Sequence, residues 1–307
     1  MDPTLRQLRG QIGSRIVGNE EAIEHILICL IARGHLLLES PPGLGKTEIC
    51  KSLAESVDMG FKRIQCTPDL TPQDIIGQSR TDTETGMRTL DKGPLFTNIL
   101  LVDEINRAQP KTQSAFLEAM AEETVTSYGR SYRLPEPFMV LATQNPVEYD
   151  GTYRLPEAQQ DRFLLKSHMT YLEGEDEKSA IKASMSRRKV KRLCTSQDVI
   201  AMQRHAAETV SVEDRTMDYI ISLVSATRHR NEVMVGASTR AAVLYTQAAK
   251  ARAYMAGRTE ACSDDVKALA HPVLRHRLLM NPDAKNFGYT SDDLIDDILR
   301  KTKSGGE

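Results

Sequence analysis

The sequence predicts a parallel α/β domain that is followed by a domain made only of helices. Up to about residue 170, short apolar runs alternate with amphipathic stretches, the pattern of a parallel sheet flanked by helices. Beyond that point β-prone runs almost disappear and the segments have helical periodicity. A glycine-rich loop joins the first predicted strand to a helix. We therefore expect an α/β domain at 1–172, a polar, acidic linker at 173–192 and a helical domain at 193–307.

Four strands are expected in the first domain, because four short runs are rich in large aliphatic or aromatic residues. They are residues 35–39, 61–66, 98–104 and 138–144. Helices are predicted from Lys46 to Ser56 and from Pro110 to Glu123, since a proline suits the first helical turn. Residues 125–133 alternate β-prone residues about Gly129 and predict a hairpin. In the second domain, Gly257 is typical of a helix end and the acidic run 263–265 of a helix start.

The composition is that of an ordinary globular protein with little net charge. A net charge of −2 gives no general attraction to nucleic acid or to anionic membranes. The five cysteines are scattered without a C-x-x-C pair, which disfavours a zinc site or a disulfide framework. Met1-Asp2-Pro3 lacks the zones of a secretory signal, and no apolar run is long enough to span a bilayer. We therefore expect a cytoplasmic protein.

The loop after the first strand is nearly a phosphate-binding loop, G-x-x-x-x-G-K-[ST], with Ser40 in place of its first glycine. Gly43 and Gly45 allow backbone N–H groups to turn toward an anion, and a helix N-terminus follows. Lys46 supplies a charge for the β- and γ-phosphates, and Thr47 a hydroxyl ligand for Mg²⁺. Because Ser40 lies at the loop's entrance, where a small side chain is accommodated, we expect an intact nucleotide site.

Polar residues follow two further strands and continue the predicted site. Asp103 ends a buried strand and is suited to hold Mg²⁺, while the adjacent Glu104 is suited to polarise an attacking water. Asn145 follows the fourth strand, where it would orient that water. Arg162 carries a fixed charge that suits the γ-phosphate in the transition state, and a neighbouring subunit often supplies such a residue.

Long blocks of the chain, from about Ile16 to Arg277, resemble the MoxR family of AAA+ ATPases. They are IVGNEEAI, GHLLLESPPGLGKT, FKRIQCTPDLTPQDIIG, GPLFTNILLVDEINRAQPKTQSAFLEAMAE, LATQNPVEYDGTYRLPEAQQDRF, GASTRA and DDVKALAHPVLRHRL. The resemblance implies a P-loop NTPase fold with an all-α lid domain and hydrolysis of ATP with Mg²⁺. It also implies a homo-oligomeric ring, a hexamer, that remodels or activates partner proteins. These are often metal-cofactor enzymes, and a von Willebrand A-domain protein often serves as adaptor.

The resemblance further implies roles for individual residues. Asp103 would be the magnesium carboxylate, Glu104 the catalytic base and Asn145 the sensor polar residue. Arg162 would be an arginine finger that acts across a subunit boundary, and Arg240 a second sensor that reaches back from the lid. Thr47 and Asp103 would hold the metal. The nucleotide-binding residues would be Val17, Gly18, Pro42, Gly43, Leu44, Gly45, Lys46, Thr47, Glu48 and Asp103.

Some positions depart from the family's common pattern and leave alternatives open. Thr239 replaces a usual proline before Arg240, and Arg154 and Gln160 stand where proline and leucine are common. Arg154 is therefore a second candidate for the finger. A nucleotide-gated scaffold with little turnover is one alternative function, and a nucleic-acid motor is another. The motor's support is the basic run SRRKVKR at 186–192, although a solvated helix accounts for such a run and no nucleic-acid partner is expected.

Overall fold

The computed structural model describes residues 2–16, 18–41, 43–81, 88–145, 152–185 and 189–303. In this part of the chain an α/β domain comes first and a mostly helical domain follows, which confirms the predicted fold class. The helices are α1 Pro3–Gly13, α2 Glu20–Ile31, α3 Lys46–Ser56, α4 Pro72–Ile76, α5 Pro110–Glu122, α6 Glu157–Gln160, α7 Glu175–Met185, α8 Ser196–Thr209, α9 Asp214–Ala226, α10 Thr239–Met255, α11 Ser263–Leu274, α12 Pro282–Asn286 and α13 Ser291–Lys301. The strands are β1 Leu36–Glu39, β2 Phe61–Gln65, β3 Gly77–Thr81, β4 Arg88–Lys92, β5 Ile99–Asp103, β6 Thr124–Ser127, β7 Arg130–Arg133, β8 Met139–Gln144, β9 Leu165–His168, β10 Ser211–Val212, β11 Val233–Val235, β12 Glu260–Ala261 and β13 Leu279–Met280.

The centre of the first domain is a five-stranded parallel sheet with the strand order β2-β5-β8-β1-β9. The four predicted strands are confirmed as β1, β2, β5 and β8, each shorter by one or two residues than its apolar run. All five residues of β5 are buried, as expected for a parallel strand with both faces covered. Because adjacent parallel strands end at the same edge, the carboxyl ends of β5, β8 and β1 meet there.

The local predictions around this sheet are confirmed, and one strand is added. Helix α3 has its predicted bounds, α5 ends one residue early, and β6 and β7 form the predicted hairpin. The sequence pattern does not predict β9. This strand has four residues, two of them Lys166 and His168, and it pairs only with β1 at the edge of the sheet. An edge strand with polar residues has no strong apolar run to reveal it.

The predicted linker, 173–192, contains helix α7 and is therefore not an irregular connection throughout. Three acidic residues fill the first turn of α7, where they suit the positive end of the helix dipole. Most described side chains of this segment are exposed, so the helix is rich in polar residues. A polar composition is also typical of a linker, which is why the sequence predicted one. Residues 186–188 of the basic run lie outside the described residues. Beyond them, Arg192 forms an ion pair with Asp58 at 2.8 Å.

The second domain consists of α8 to α13 with two short strand pairs, β10–β12 and β11–β13. As predicted, α11 begins at Ser263, and α10 ends shortly before Gly257, which has a φ of +79°. Helix α2 connects the domains: nine of its twelve residues are buried, and it packs against α8 and α10 as well as β9. Over the described ranges, no helix combines the length and the apolar character that a membrane span requires.

Candidate active site

The loop between β1 and α3 has the backbone geometry of an anion-binding turn. Gly43 and Gly45 have φ angles of +86° and +78°, a region that residues with a Cβ rarely adopt. Gly45 is also the N-cap of α3, and no described side chain caps the N–H groups of its first turn. These N–H groups and the positive end of the helix dipole are therefore available to a phosphate.

Ser40 fits the loop without disturbing it. Its side chain is completely buried, its hydroxyl donates to the carbonyl of Pro41 at 2.9 Å, and its N–H donates to the carbonyl of Gln144 at 3.1 Å. The serine thus ties the start of the loop to the end of β8, away from the glycine turn. Replacement of the first glycine is compatible with this geometry because nothing larger than a hydroxymethyl group has to be accommodated.

Lys46 lies over the loop and is half-buried. Its Nζ donates to the carbonyl oxygens of Pro41 at 3.2 Å and Ser40 at 3.4 Å. Burial lowers the pKa of Lys46, whereas the negative charges of Asp103 and Glu104 act in the opposite direction. Within the described part of the chain the ammonium group donates to two neutral carbonyl groups, which a phosphate could replace as a stronger, charged acceptor.

A cavity of about 330 Å³ lies at the carboxyl ends of β1, β5 and β8, in front of this loop. Nine of the predicted site residues line it, which brings together loop, helix and strand-end residues. They are Gly43, Leu44, Gly45, Lys46, Thr47, Glu48, Asp103, Glu104 and Asn145. Val17 and Pro42 lie outside the described residues, and Gly18, with a φ of +79°, is not among the residues that line the cavity.

The two adjacent acids are held in different orientations. Asp103 ends β5, and its buried carboxylate accepts from the hydroxyl of Thr143 at 3.2 Å. Glu104 adopts a left-handed conformation with a φ of +56°, and its N–H donates to the same hydroxyl at 2.9 Å. Thr143 on β8 therefore fixes the backbone turn that separates the acids. Asp103 is buried, and Glu104 is less deeply buried.

The sequence analysis missed two residues of β2, Arg63 and Gln65, each of which contacts one of the two acids. The Nε of Arg63 donates to Asp103 at 2.6 Å, and the amide of Gln65 donates to Glu104 at 2.9 Å. Glu104 also accepts from Arg107 at 3.0 Å. In a strand, residues two apart lie on the same face, and β2 is the neighbour of β5. Two polar residues at this spacing in the strand beside Asp103 were the available signal.

The three predicted or alternative arginines lie outside this cavity. The guanidinium of Arg162 donates to the carbonyl of Leu117 at 2.9 Å, and the side chain borders a separate small cavity between α5 and α6. Arg240 is exposed in the first turn of α10. Arg154 is exposed and forms an ion pair with Glu157 at 2.8 Å. The cavity is therefore lined by the predicted loop, acids and Asn145, but by none of these arginines.

Two protein-family models, and relatives of known sequence or structure, match this chain. The family model "ATPase family associated with various cellular activities (AAA)" matches residues 35–165, and the model "AAA lid domain" matches residues 225–298. An uncharacterized protein of Bacillus subtilis, YeaC, is 40% identical over 99% of this chain and 95% of its own. Chaperone MoxR1 of Mycobacterium tuberculosis is 38% identical over 97% of this chain and 81% of its own. The crystal structure of a proposed ATPase from Cytophaga hutchinsonii is 38% identical with a TM-score of 0.89, covering 98% of this chain and 94% of that one.

Proposed function

Because this chain belongs to the MoxR family of AAA+ ATPases, we propose that it hydrolyses ATP within a homo-oligomeric ring, a hexamer, and uses that reaction to remodel or activate client proteins. The observation that carries the proposal is the position of Arg162. It lies outside its own subunit's cavity and borders a surface cavity between α5 and α6. An arginine in that position serves ATP hydrolysis only if it reaches the cavity of a neighbouring subunit.

The residues of the cavity are suited to hold the triphosphate and a magnesium ion. The N–H groups of the loop and Lys46 bind the phosphates, while Thr47 and Asp103 provide the hydroxyl and carboxylate oxygens that Mg²⁺ prefers. The buried Asp103 carboxylate already has a cation beside it, the guanidinium of Arg63, so this position is compatible with positive charge. When bound, the ion supplies positive charge that neutralises the β- and γ-phosphate oxygens.

The catalytic step assigns one task to each remaining residue. Asn145 orients a water molecule in line with the γ-phosphate, and Glu104 accepts its proton as the water oxygen attacks phosphorus. The bond between the γ-phosphorus and the bridging oxygen of ADP breaks. Arg162 of the next subunit stabilises the negative charge on the γ-phosphate oxygens, and Arg240 contributes from the lid. The Oε2 of Glu104 already accepts from the amide of Gln65 at 2.9 Å, and a carboxylate has a second oxygen with which to accept the proton.

The name of the Mycobacterium tuberculosis relative, a chaperone, supports the client-directed part of the proposal. The proposal includes a von Willebrand A-domain protein as adaptor, which the resemblance to the family implies, and the cytoplasmic location expected from the sequence. It favours turnover over a nucleotide-gated scaffold, because Lys46, Asp103, Glu104 and Asn145 all line one cavity.

Rings assembled from two different variants, here called mixed rings, test whether Arg162 acts between subunits. We expect Arg162→Ala and Glu104→Gln to be inactive alone, while each still binds ATP. An equimolar mixture should regain about a quarter of the wild-type rate per subunit, because half the sites keep Glu104 and half their neighbours keep Arg162. Phosphate release measures turnover, and a fluorescent ATP analogue measures binding.

Full activity of Arg162→Ala would refute the assignment of the finger. If Arg154→Ala were then the inactive variant, the finger would be Arg154. A mixture that stays inactive, although both variants bind ATP and assemble together, would contradict action between subunits.

A further inference from the structure

The turn that carries Arg162 is held by a buried arginine of the lid domain. This turn, residues 161–164, connects α6 to β9, and the side chain of Arg277 is only 2% exposed beneath it. The Nε of Arg277 donates to a carboxylate oxygen of Asp161 at 2.7 Å. Its two terminal nitrogens donate to the carbonyls of Phe163 at 2.6 Å, Leu164 at 3.2 Å and Asp161 at 3.4 Å, and to that of Val273.

All five N–H groups of this guanidinium are therefore used, four of them on the turn. A buried guanidinium is strongly unfavourable unless its donors are paired, so the position of the turn and the position of Arg277 depend on each other. His276, the preceding residue, adds a bond from Nε2 to the carbonyl of Phe163 at 3.1 Å. Burial lowers the pKa of Arg277 to about 10, which leaves it charged at neutral pH.

The second carboxylate oxygen of Asp161 contacts another part of the lid. It accepts from the hydroxyl of Ser238 at 3.3 Å. The same hydroxyl accepts from the N–H of Ala241 at 3.2 Å and thereby caps α10. Arg240, the predicted second sensor, lies in the first turn of this helix. Asp161 thus bridges two separate lid segments, and its neighbour in the chain is the predicted finger.

We propose that Asp161 is a positioning residue that transmits the position of the lid to Arg162. The inference rests on the proposed function, because it assigns Asp161 a role only if Arg162 acts on the next subunit. A lid that moves when its own subunit binds nucleotide displaces Ser238 and Arg277, and Asp161 moves with them. The orientation of Arg162 therefore depends on the nucleotide bound in its own subunit, although Arg162 serves the neighbouring one.

The first test removes the contact between Asp161 and Ser238 from either side, by one substitution in the α/β domain and one in the lid. Asp161→Asn keeps the size of the side chain, and Ser238→Ala removes only the hydroxyl. We expect both to lower kcat about tenfold while the Kd for a fluorescent ATP analogue changes less than twofold. Ser238→Thr, which retains a hydroxyl, should restore kcat. Asp292→Asn is the matched control, because Asp292 pairs with Arg275 at 3.1 Å within the lid and does not reach the turn.

Mixed rings then separate an effect on Arg162 from an effect on the variant's own site. An equimolar mixture of Asp161→Asn with inactive Glu104→Gln should be more active than Asp161→Asn alone, at about a quarter of the wild-type rate. The reason is that a Glu104→Gln subunit lends a correctly placed Arg162 to the intact site of its neighbour. Simple dilution of a damaged site would instead halve the activity. Ser238→Ala should respond in the same way.

Wild-type kcat for Asp161→Asn would overturn the inference, as would activity that only falls on mixing. Equal losses for Asp161→Asn and the control Asp292→Asn would do so as well. These outcomes are distinct from failure of the proposed function, which is tested by Arg162→Ala by itself and by its mixture with Glu104→Gln. If the mixture of Arg162→Ala with Glu104→Gln regains activity and Asp161→Asn is not rescued by mixing, only the role of Asp161 is refuted.

Discussion

The guanidinium of Arg63 forms an ion pair with Asp103, the carboxylate that is proposed to bind the metal. Its Nε lies 2.6 Å from Asp103, and its side chain is 48% exposed at the rim of the cavity. Cations at one carboxylate compete, since each gains from the same negative charge. Gln65 likewise occupies Glu104. Both acids therefore have protein partners, which compete with the proposed metal at Asp103 and with the attacking water at Glu104.

Removal of Arg63 should make the metal easier to bind. We expect Arg63→Ala to lower the Mg²⁺ concentration that gives half-maximal binding of a fluorescent ATP analogue by up to about fivefold, since a partly exposed ion pair contributes roughly 0.2–1 kcal/mol. A Mg²⁺ titration at fixed analogue concentration measures this. Lys62→Ala is the control, because the adjacent residue points to the other face of β2. A higher Mg²⁺ requirement would show instead that Arg63 helps to bind the nucleotide.

At the scale of elements, the backbone at Gly77 lies very close to the backbone at Asp91 and Gly93, where the β3–β4 hairpin begins. Gly77 follows α4 and has a φ of +107°. A Cβ on Gly77 would overlap the carbonyl of Asp91 and lie 2.6 Å from the N–H of Gly93. A Cβ on Gly93 would lie 2.6 Å from the nitrogen of Gly77. Glycine is required on both sides of this contact, which fixes the start of the β3–β4 hairpin.

The substitution Gly77→Ala should therefore lower the free energy of unfolding by more than the unfavourable backbone angle alone explains. Gly129 also has a positive φ, +74°, but nothing lies within 4 Å of a Cβ placed there. We expect Gly129→Ala to lower the free energy of unfolding by about 1–2 kcal/mol, the cost of the left-handed conformation. Gly77→Ala should lower it by more than about 3 kcal/mol, because the overlap adds to that cost. Urea unfolding of both variants is the measurement, and equal losses would contradict the role of the backbone contact.

The elements differ in how well their sequences predict them. β5 and β8 are apolar along almost their whole length, because parallel strands are covered on both faces, and their sequences reveal them. β9 and α7 have no comparable signal, since one is a short edge strand and the other is mostly exposed. Edge and surface elements are stabilised by pairing and by caps, which apolar periodicity does not record.

At the scale of the whole molecule, His35 connects three parts of the first domain. It precedes β1 and is buried. Its Nδ1 accepts from the N–H of Val140 in β8 at 3.0 Å, and its Nε2 donates to the carbonyl of Met120 in α5 at 3.0 Å. Burial lowers the pKa of His35 from 6.5 to about 4. Protonation would direct an N–H of Nδ1 at the N–H of Val140, so only the neutral ring fits.

Stability should therefore fall on acidification from pH 6.5 to 5. Between a folded pKa of about 4 and an unfolded pKa of 6.5, the unfolded chain binds more protons, so the free energy of unfolding rises with pH. Each such histidine lowers the free energy of unfolding by up to about 1.4 kcal/mol for each pH unit below 6.5. His25, whose pKa is also lowered to about 4 by burial, acts in the same direction.

Urea unfolding at several pH values checks this, with His35→Gln as the test variant. The variant should be less stable at pH 7 but depend less steeply on pH, because glutamine does not titrate. An unchanged slope would show that His35 does not contribute to the pH dependence.

The sequence by itself determined the phosphate loop, the acids at the end of β5 and the order of the two domains. These features depend on neighbours in the chain: glycine at positive φ, a helix start after the loop, and apolar runs that end in polar residues. Only the tertiary structure brought Arg63 to Asp103, 40 residues away, and Arg277 to Asp161, 116 residues away. Such contacts depend on strand register and on how the lid packs against the sheet. Many segments of the chain act together to set these, so no local pattern reveals them.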